Sequence, residues 1–435
     1  MSTSTEQLDE QTATDHRLSA HSWRVLAILV LFALVVRIGL LLGLHQVTHG
    51  REFADDFNAY RTFLKHPLIL FSADGLDDVP DAVIYSPLIP VQVWFPGKLL
   101  SDALGTFYGH RLSMILYDVT ALSVTAWAML RVNSRTWKKK EWIAALMLMC
   151  VPGSVGASAL WGQEDCIAAM WTSFAMIALL RGHPTIAALF GGIGLFTHKL
   201  FALLLSLGIF LTSRASRAKI LVTTGAITII FFIFLFVRWK LTGMFLDRYA
   251  YNAISNSPSP WGLLDRMMGV DKLSFETLRP IITVTTAIAL VLISLATLYF
   301  RGGRSSPEAS VVATHTTFFV VFVGIQPEHH QWFMPFLILF AWRRFLAGDW
   351  LTFALAWSFS GLAYGFKISY GLQARQSIAS AGKDVFREWL GASAGETLWG
   401  LQLAFHLLTM LVGILLVYRA VTADETRELS LEPLG

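Results

Sequence analysis

Two adjacent aspartates, Asp55 and Asp56, are the residues of this sequence best suited to chemistry. They follow the first long apolar segment, residues 23–44, and open a long polar stretch. Two neighbouring carboxylates repel each other unless a cation or an acceptor hydroxyl shares their charge. One of them could therefore act as a general base, with the other as its support or as a metal ligand. Alternatively, one of the pair caps an amphipathic helix such as residues 57–65 by accepting hydrogen bonds from its free N–H groups.

A second acidic pair, Glu164 and Asp165, lies in the short segment Trp161-Gly-Gln-Glu-Asp165 between two apolar runs. Polar groups next to a membrane core are costly, so carboxylates in such a turn favour a functional role. The alternative is a helix N-terminus, where an acid caps the helix and contacts the positive end of its dipole.

A third polar turn, Gln326-Pro-Glu-His-His-Gln-Trp332, carries Glu328, His329 and His330. Adjacent histidines on one helix do not share a face, so a metal site built on both is not indicated. Phosphate binding or proton donation by one histidine fits better, and a neutral interfacial histidine is the alternative.

Several basic residues could hold an anion. Arg37 lies inside the first apolar segment, where the alternative is a side chain that snorkels to the membrane surface. Lys199 lies in the polar middle of residues 185–213, at membrane depth, where a cation needs an anion such as a lipid phosphate or a carboxylate. Lys367 and Arg248, in predicted outer loops, are further candidates.

The segment that begins Tyr85-Ser-Pro-Leu-Ile-Pro90 mixes apolar and polar residues as far as Leu104 and contains three prolines. This composition favours a helix lying along the outer membrane surface over a full span. A Pro-punctuated connector without chemistry is the alternative.

The elements that position these residues must be membrane helices. The 435-residue chain is 54% hydrophobic and only 15% charged, against about 25% charged residues in soluble domains. We predict an all-α, polytopic helical membrane protein with about ten full spans. Residues 185–213 are too short for two crossings and are predicted to form a short, partly inserted hairpin. The predicted spans are residues 23–44, 111–130, 142–160, 166–180, 219–237, 280–300, 309–325, 332–347, 350–366 and 398–418.

Clusters of lysine and arginine, such as that of residues 131–140, fall on one side of these spans if the N-terminus is cytoplasmic. Both termini are then cytoplasmic, and both acidic pairs share the extracytoplasmic face of the cell membrane with the histidine turn. We therefore predict one transmembrane domain, residues 21–420, between polar tails at residues 1–20 and 421–435. Its long extracytoplasmic loops are predicted at residues 45–110, 238–279 and 367–397.

Taken in order, these motifs resemble the GT-C superfamily of integral-membrane glycosyltransferases. The resemblance covers about residues 23–345. It depends on the acid pair after the first span, the Tyr-x-Pro-type segment, the Trp-Gly-Gln-x-Asp turn, the hairpin with its lysine and the histidine turn. Within the superfamily, Glu328-His329-His330-Gln-Trp332 is similar to the corresponding stretch of actinobacterial polyprenyl-phosphomannose-dependent mannosyltransferases.

The resemblance implies inverting transfer of a sugar, with mannose as the first candidate, from a polyprenyl-phosphate donor to a lipid-linked or glycan hydroxyl. Asp55 or Asp56 would be the catalytic base. The remaining candidates would bind the donor phosphate or the substrates; they are Tyr85, Glu164, Asp165, Lys199, Arg248, Glu328, His329, His330 and Lys367. The superfamily often has Asp-x-Asp or Glu-x-Asp where this chain has an adjacent pair. A divalent cation, Mg²⁺ or Mn²⁺, held by Asp56 and Asp165, therefore stays open.

The competing prediction is a membrane transporter or flippase for a lipid-linked or anionic substrate, which would use the same intramembrane charges. Such carriers often have inverted repeats with matched broken helices, whereas this sequence has one broken hairpin and no second copy. No Gly-rich phosphate loop or dinucleotide fingerprint is present. The predicted partners are therefore the lipid-borne donor, the acceptor and the bilayer, without nucleic acid.

Overall fold

The computed structural model describes residues 20–50, 52, 57–68, 88–132, 139–180 and 183–197, with isolated helical positions between 267 and 411. Every regular element in this part of the chain is a helix, which confirms the all-α prediction. Nine of the predicted site residues lie outside it; they are Asp55, Asp56, Tyr85, Lys199, Arg248, Glu328, His329, His330 and Lys367.

The first helix, α1, covers Ala20–Thr48 and confirms the helix predicted over residues 23–44. Its 29 residues give a length of about 43 Å at 1.5 Å per residue, more than the roughly 30 Å of a bilayer core. Apolar side chains such as Leu31 and Leu42 are exposed on one side, and others such as Leu29 are buried on the opposite side. This distribution suits a helix with lipid on one face and protein on the other.

Two shorter helices follow. Helix α2, Phe57–Lys65, is the amphipathic helix predicted from the sequence: Tyr60 and Phe63 are buried and Lys65 is exposed. Helix α3, Ile89–Leu104, is interrupted at Phe95, whose φ of −109° and ψ of 112° are not helical. Proline disfavours helical geometry in the residue before it and has no N–H to donate. The carbonyl of Gln92, four residues before Pro96, instead accepts a hydrogen bond of 2.8 Å from Tyr117 Oη.

Helix α4, Thr106–Val132, is the central element, because it packs against α1, α3 and two later helices. The predicted span at residues 142–160 is not one regular helix. It consists of α5, Lys139–Met149, the short α6, Pro152–Val155, and a π-helix, Gly156–Trp161. The break is explained by Pro152, which cannot donate the backbone hydrogen bond that would continue α5.

Two helices complete the described fold. Helix α7, Asp165–Leu180, packs against α4 and α8. Helix α8, Pro184–Thr197, occupies the first half of the predicted hairpin, and the second half lies outside the described residues. Its 14 described residues amount to about 21 Å.

Arg37 is completely buried, so the snorkelling alternative is wrong. Its Nε donates to Asp118 Oδ2 at 2.7 Å, and one Nη donates to the Met149 carbonyl at 2.8 Å. The other Nη donates to Ser154 Oγ at 2.9 Å. A cation this deep in an apolar helix can remain charged because an anion and three further acceptors replace its hydration; the third is the Ala33 carbonyl, at 3.1 Å. The network joins α1 to α4, α5 and α6.

Within the described residues, two segments are long and apolar enough to cross a membrane, His21–Thr48 and Trp142–Trp161. Arg37 lies in the first and Met149 in the second, so the buried network connects both. A further link comes from the isolated position Trp357, whose Nε1 donates to the Met147 carbonyl at 3.0 Å.

Candidate active site

The described residues on either side of Asp55-Asp56 both contact the beginning of α4. Glu52, three residues before the pair, accepts two hydrogen bonds from Arg111, at 2.5 and 2.6 Å. Phe57, directly after the pair, has its ring centroid 5.6 Å from that of His110. Two consecutive residues of α4 therefore hold the chain before and after the acid pair.

Arg111 connects this segment to the π-helix. Its side chain is fully buried, and that of Glu52 is 13% exposed. The fork-shaped pairing of a guanidinium with both oxygens of a carboxylate is a strong, directional contact. The Arg111 Nε also donates to the Leu160 carbonyl at 3.1 Å, and its Cζ lies 4.2 Å from the centre of the Phe107 ring. Arg111 thus has a fixed geometry rather than the freedom of a surface arginine.

His110 is fully buried between aromatic rings and backbone. Its ring centroid lies 4.3 Å from that of Tyr60, and the backbone of Gly162 lies against the imidazole. In the part of the chain that the structure describes, neither ring nitrogen makes a hydrogen bond of acceptable geometry. Buried polar groups are usually satisfied, and the backbone of Gly162 is a polar group that contacts the imidazole among the described residues.

Tyr60 packs its ring against the His110 imidazole. Its Oη lies 2.7 Å from Ser101 Oγ and donates to the Gly97 carbonyl at 3.3 Å. Burial raises the pKa of the Tyr60 hydroxyl, and the hydrogen bonds with Ser101 and Ser113 oppose this only in part. The phenol therefore remains neutral and keeps α2 against α3, with its ring beside His110.

The Trp161–Asp165 turn packs on the same two residues of α4. Gly162 ends the π-helix in the left-handed region, with φ of +75°, where glycine carries no Cβ penalty. The Gln163 N–H donates to the Ala157 carbonyl at 2.8 Å, a backbone hydrogen bond that caps the C-terminal end of the π-helix. A Cβ on Gly162 would lie 2.9 Å from His110 Cε1 and 3.2 Å from Arg111 Cγ. The turn and the flanks of the acid pair therefore share one contact surface.

Glu164 and Asp165 are both buried, at 2% and 1% exposed. Helix α7 begins at Asp165, and the Ile167 N–H donates to the Glu164 carbonyl at 2.9 Å. A helix N-terminus, which the sequence analysis gave as the alternative, is present here, and the helix dipole favours negative charge there. No group of three His, Cys, Asp or Glu residues within the described segments could hold a metal ion. Since Asp56 lies outside those segments, the divalent cation remains a prediction.

The sequence analysis did not select Glu52, Tyr60, His110 or Arg111. Arg111 begins the predicted span of residues 111–130, and a charged residue at that depth is itself a signal of a specific contact. Glu52 lies three residues before the acid pair, where a second carboxylate could have been weighed. Tyr60 and His110 have no comparable signal, because their position depends on how α2 packs against α4.

Replacing Gly162 by alanine is expected to displace the turn. The new Cβ would meet His110 at less than van der Waals distance, and a non-glycine residue in the left-handed region costs about 1–2 kcal/mol. We expect Gly162→Ala to lower the melting temperature, measured in detergent. The control is Gly43→Ala in α1, where a Cβ meets nothing within 4 Å. Equal behaviour of the two variants would contradict the close packing of Gly162.

Residues 94–324, slightly more than half of the chain, match the model of glycosyltransferase family 87. The match includes α4, the π-helix and the Trp161–Asp165 turn, and it begins after Asp55-Asp56. No protein of curated function matches the chain.

Proposed function

The chain belongs to glycosyltransferase family 87, and on this premise we propose which sugar it transfers, from what, and with which residues. The proposed donor is a polyprenyl-phosphate sugar, with mannose as the first candidate. The proposed acceptor is a hydroxyl of a lipid-linked molecule or a glycan on the extracytoplasmic face of the membrane. Membership in the family, together with two apolar segments long enough to cross a bilayer among the described residues, supports a membrane glycosyltransferase.

The observation that carries the proposal is that the residues flanking Asp55-Asp56 and the Trp161–Asp165 turn contact the same two side chains of α4. Glu52 and Phe57 contact Arg111 and His110, and Gly162 of the second motif packs on the same two side chains. Asp56 and Asp55 precede Phe57 by one and two residues, and consecutive Cα atoms are about 3.8 Å apart. The shared contacts support the proposal that the acid pair and the Trp161–Asp165 turn serve one active site, although the motifs are more than a hundred residues apart in the chain.

In the proposed reaction, Asp55 or Asp56 removes the proton of the acceptor hydroxyl as its oxygen attacks the anomeric carbon. The new carbon–oxygen bond forms as the bond to the donor phosphate breaks on the opposite face, which inverts the configuration. The electron pair leaves with the phosphate oxygen. Because the leaving group is a lipid phosphate, the reaction needs no nucleotide, in agreement with the lack of a phosphate-binding loop in the sequence.

Other residues would stabilise the departing phosphate and hold the sugars. His329 or His330 would contact the phosphate, with Lys367 or Arg248 as the compensating cation. Glu164 and Asp165, buried at the start of α7, are suited to accept hydrogen bonds from sugar hydroxyls. Proposed further contacts with substrate come from Tyr85, Lys199 and Glu328.

Family membership favours the enzyme over the transporter or flippase.

An assay of sugar transfer distinguishes the enzyme from the transporter. Purified protein with a labelled polyprenyl-phosphate mannose and a mixture of membrane lipids and glycans should yield a labelled acceptor. A nucleotide-activated mannose supplied alone should yield none. Transfer from the nucleotide sugar instead would contradict the proposed donor, and passage of the lipid across vesicles without any transfer would support the carrier.

A further inference from the structure

Asp118 gathers three hydrogen-bond donors in the middle of α4. Arg37 Nε donates to its Oδ2 at 2.7 Å, Ser154 Oγ to its Oδ1 at 2.5 Å, and Ser158 Oγ to its Oδ2 at 2.9 Å. All four residues are buried. Ser154 and Ser158 are one turn apart, the first in α6 and the second in the π-helix. One carboxylate therefore holds both segments that follow the break at Pro152.

This contact matters because a π-helix is intrinsically less favourable than a regular α-helix and needs contacts with other helices to stabilise it. The π-type turn is rare and appears mostly as short insertions in α-helices, frequently at functional sites. Here it follows directly after the broken end of α5, whose Met149 carbonyl is occupied by Arg37. The register of Gly156–Trp161 must therefore be set by tertiary contacts, and Asp118 supplies a charged one.

Helix α4 holds the π-helix at two levels. Asp118 binds Ser158 near the beginning of the π-helix, and Arg111 binds the Leu160 carbonyl near its end. Arg111 and Asp118 are seven residues apart, so they lie on the same face of α4, two turns and about 10 Å from each other. The π-helix ends at Trp161, the first residue of the Trp161–Asp165 turn, so the network is joined to the turn through the backbone.

We propose that Asp118, acting through Ser158, is a positioning residue that fixes the register of the π-helix and so places Glu164 and Asp165 for substrate binding. The substrate-binding part of this statement rests on the proposed function. The positioning part is a property of the fold and can be tested without sugar transfer.

The test uses Ser158→Ala, which removes a hydroxyl that lies 2.9 Å from both Asp118 Oδ2 and the Ser154 carbonyl and leaves Arg37 and Ser154 on Asp118. Peptides that cover residues 159–167 should exchange backbone hydrogen for deuterium faster than in the wild type. The KM for the polyprenyl-phosphate mannose should rise about 2- to 10-fold, the range of one net hydrogen bond, with kcat little changed. The matched control is Ser173→Ala, a buried serine of α7 whose hydroxyl donates to the Ala169 carbonyl of its own helix. This control should leave both measurements unchanged.

A merely structural role would reduce the fraction of folded enzyme, which lowers apparent kcat at constant KM. That result, or unchanged exchange over residues 159–167 in Ser158→Ala, would overturn the proposal. If the wild-type protein transfers no sugar from the lipid donor, the proposed function fails, and the exchange comparison still decides whether Ser158 positions the turn.

Discussion

Removing the proposed catalytic carboxylate is expected to lower kcat for sugar transfer by about 10²–10⁴-fold, the contribution of general-base catalysis. One of the two variants Asp55→Ala and Asp56→Ala should show this loss, because in the proposed mechanism only one of the two carboxylates takes the proton from the acceptor. The KM for the lipid donor should change much less, since the base acts on the acceptor oxygen. The measurement is the initial rate of transfer from labelled polyprenyl-phosphate mannose, with the amount of folded protein determined by gel filtration.

The charge-neutral variants Asp55→Asn and Asp56→Asn test the same idea with little change in side-chain volume. The control is Asp102→Ala in α3, which removes an exposed carboxylate that pairs with Lys98 at 2.7 Å one turn away. Exposed pairs of this kind contribute little to stability, and Asp102 should be dispensable for transfer. If both Asp55→Ala and Asp56→Ala retain full activity, the proposed mechanism is wrong.

The carboxylate that is not the base has two possible roles, helix capping and metal binding, and its alanine variant distinguishes them. One role considered for a member of the pair is that of N-cap of α2, Phe57–Lys65. A purely capping aspartate would lose about 1 kcal/mol of stability as alanine while kcat stays near the wild-type value. A metal ligand would instead make the rate depend on added Mg²⁺ or Mn²⁺.

The sequence predicted those parts of the fold that depend on local pattern. Long apolar runs predicted α1, α4 and α7, because a bilayer requires about 20 apolar residues in helical form. The spacing of apolar and polar residues in Phe57–Lys65 predicted α2. The acids of the Trp161–Asp165 turn were recognised because carboxylates beside an apolar run are costly. Their burial at the beginning of α7 was not foreseen.

The parts that were not predicted depend on contacts between distant residues. Arg111 binds Glu52 across 59 positions of the chain, and Arg37 binds Asp118 across 81. Hydrophobic periodicity assigns a face to each residue but does not say which helix the face will meet. The sequence therefore indicated that Arg37 needed either an anion or a route to the surface, and only the packing of α1 on α4 identified Asp118 as the anion.

The substitution Asp118→Asn is expected to destabilise the fold by about 3–5 kcal/mol, because it leaves Arg37 buried without its counter-charge. The amide is nearly the same size as the carboxylate, so the loss is not a cavity effect. It keeps only one acceptor oxygen, whereas Ser154 and Ser158 donate to different oxygens of Asp118, so the substitution removes the counter-charge and also one acceptor. The free energy of unfolding can be followed by tryptophan fluorescence during denaturant titration in mixed micelles.

The double variant Arg37→Met with Asp118→Leu tests whether the charges of this ion pair, rather than its packing, stabilise the bundle. Replacing both members of a buried ion pair by apolar residues of similar size is often neutral or stabilising, so the double variant should recover most of the stability that Asp118→Asn loses. It also removes the charged contact to Ser158, and we therefore expect a folded protein with a displaced Trp161–Asp165 turn and a raised donor KM. A double variant with wild-type stability and wild-type donor KM would show that the ion pair neither stabilises the bundle nor positions the turn. Wild-type stability of Asp118→Asn would show that Arg37 does not need Asp118 as its counter-charge. Stability recovered together with a raised KM would instead assign the pair to the placement of the two acids, because the apolar pair would then replace it in packing but not in setting the register of the π-helix.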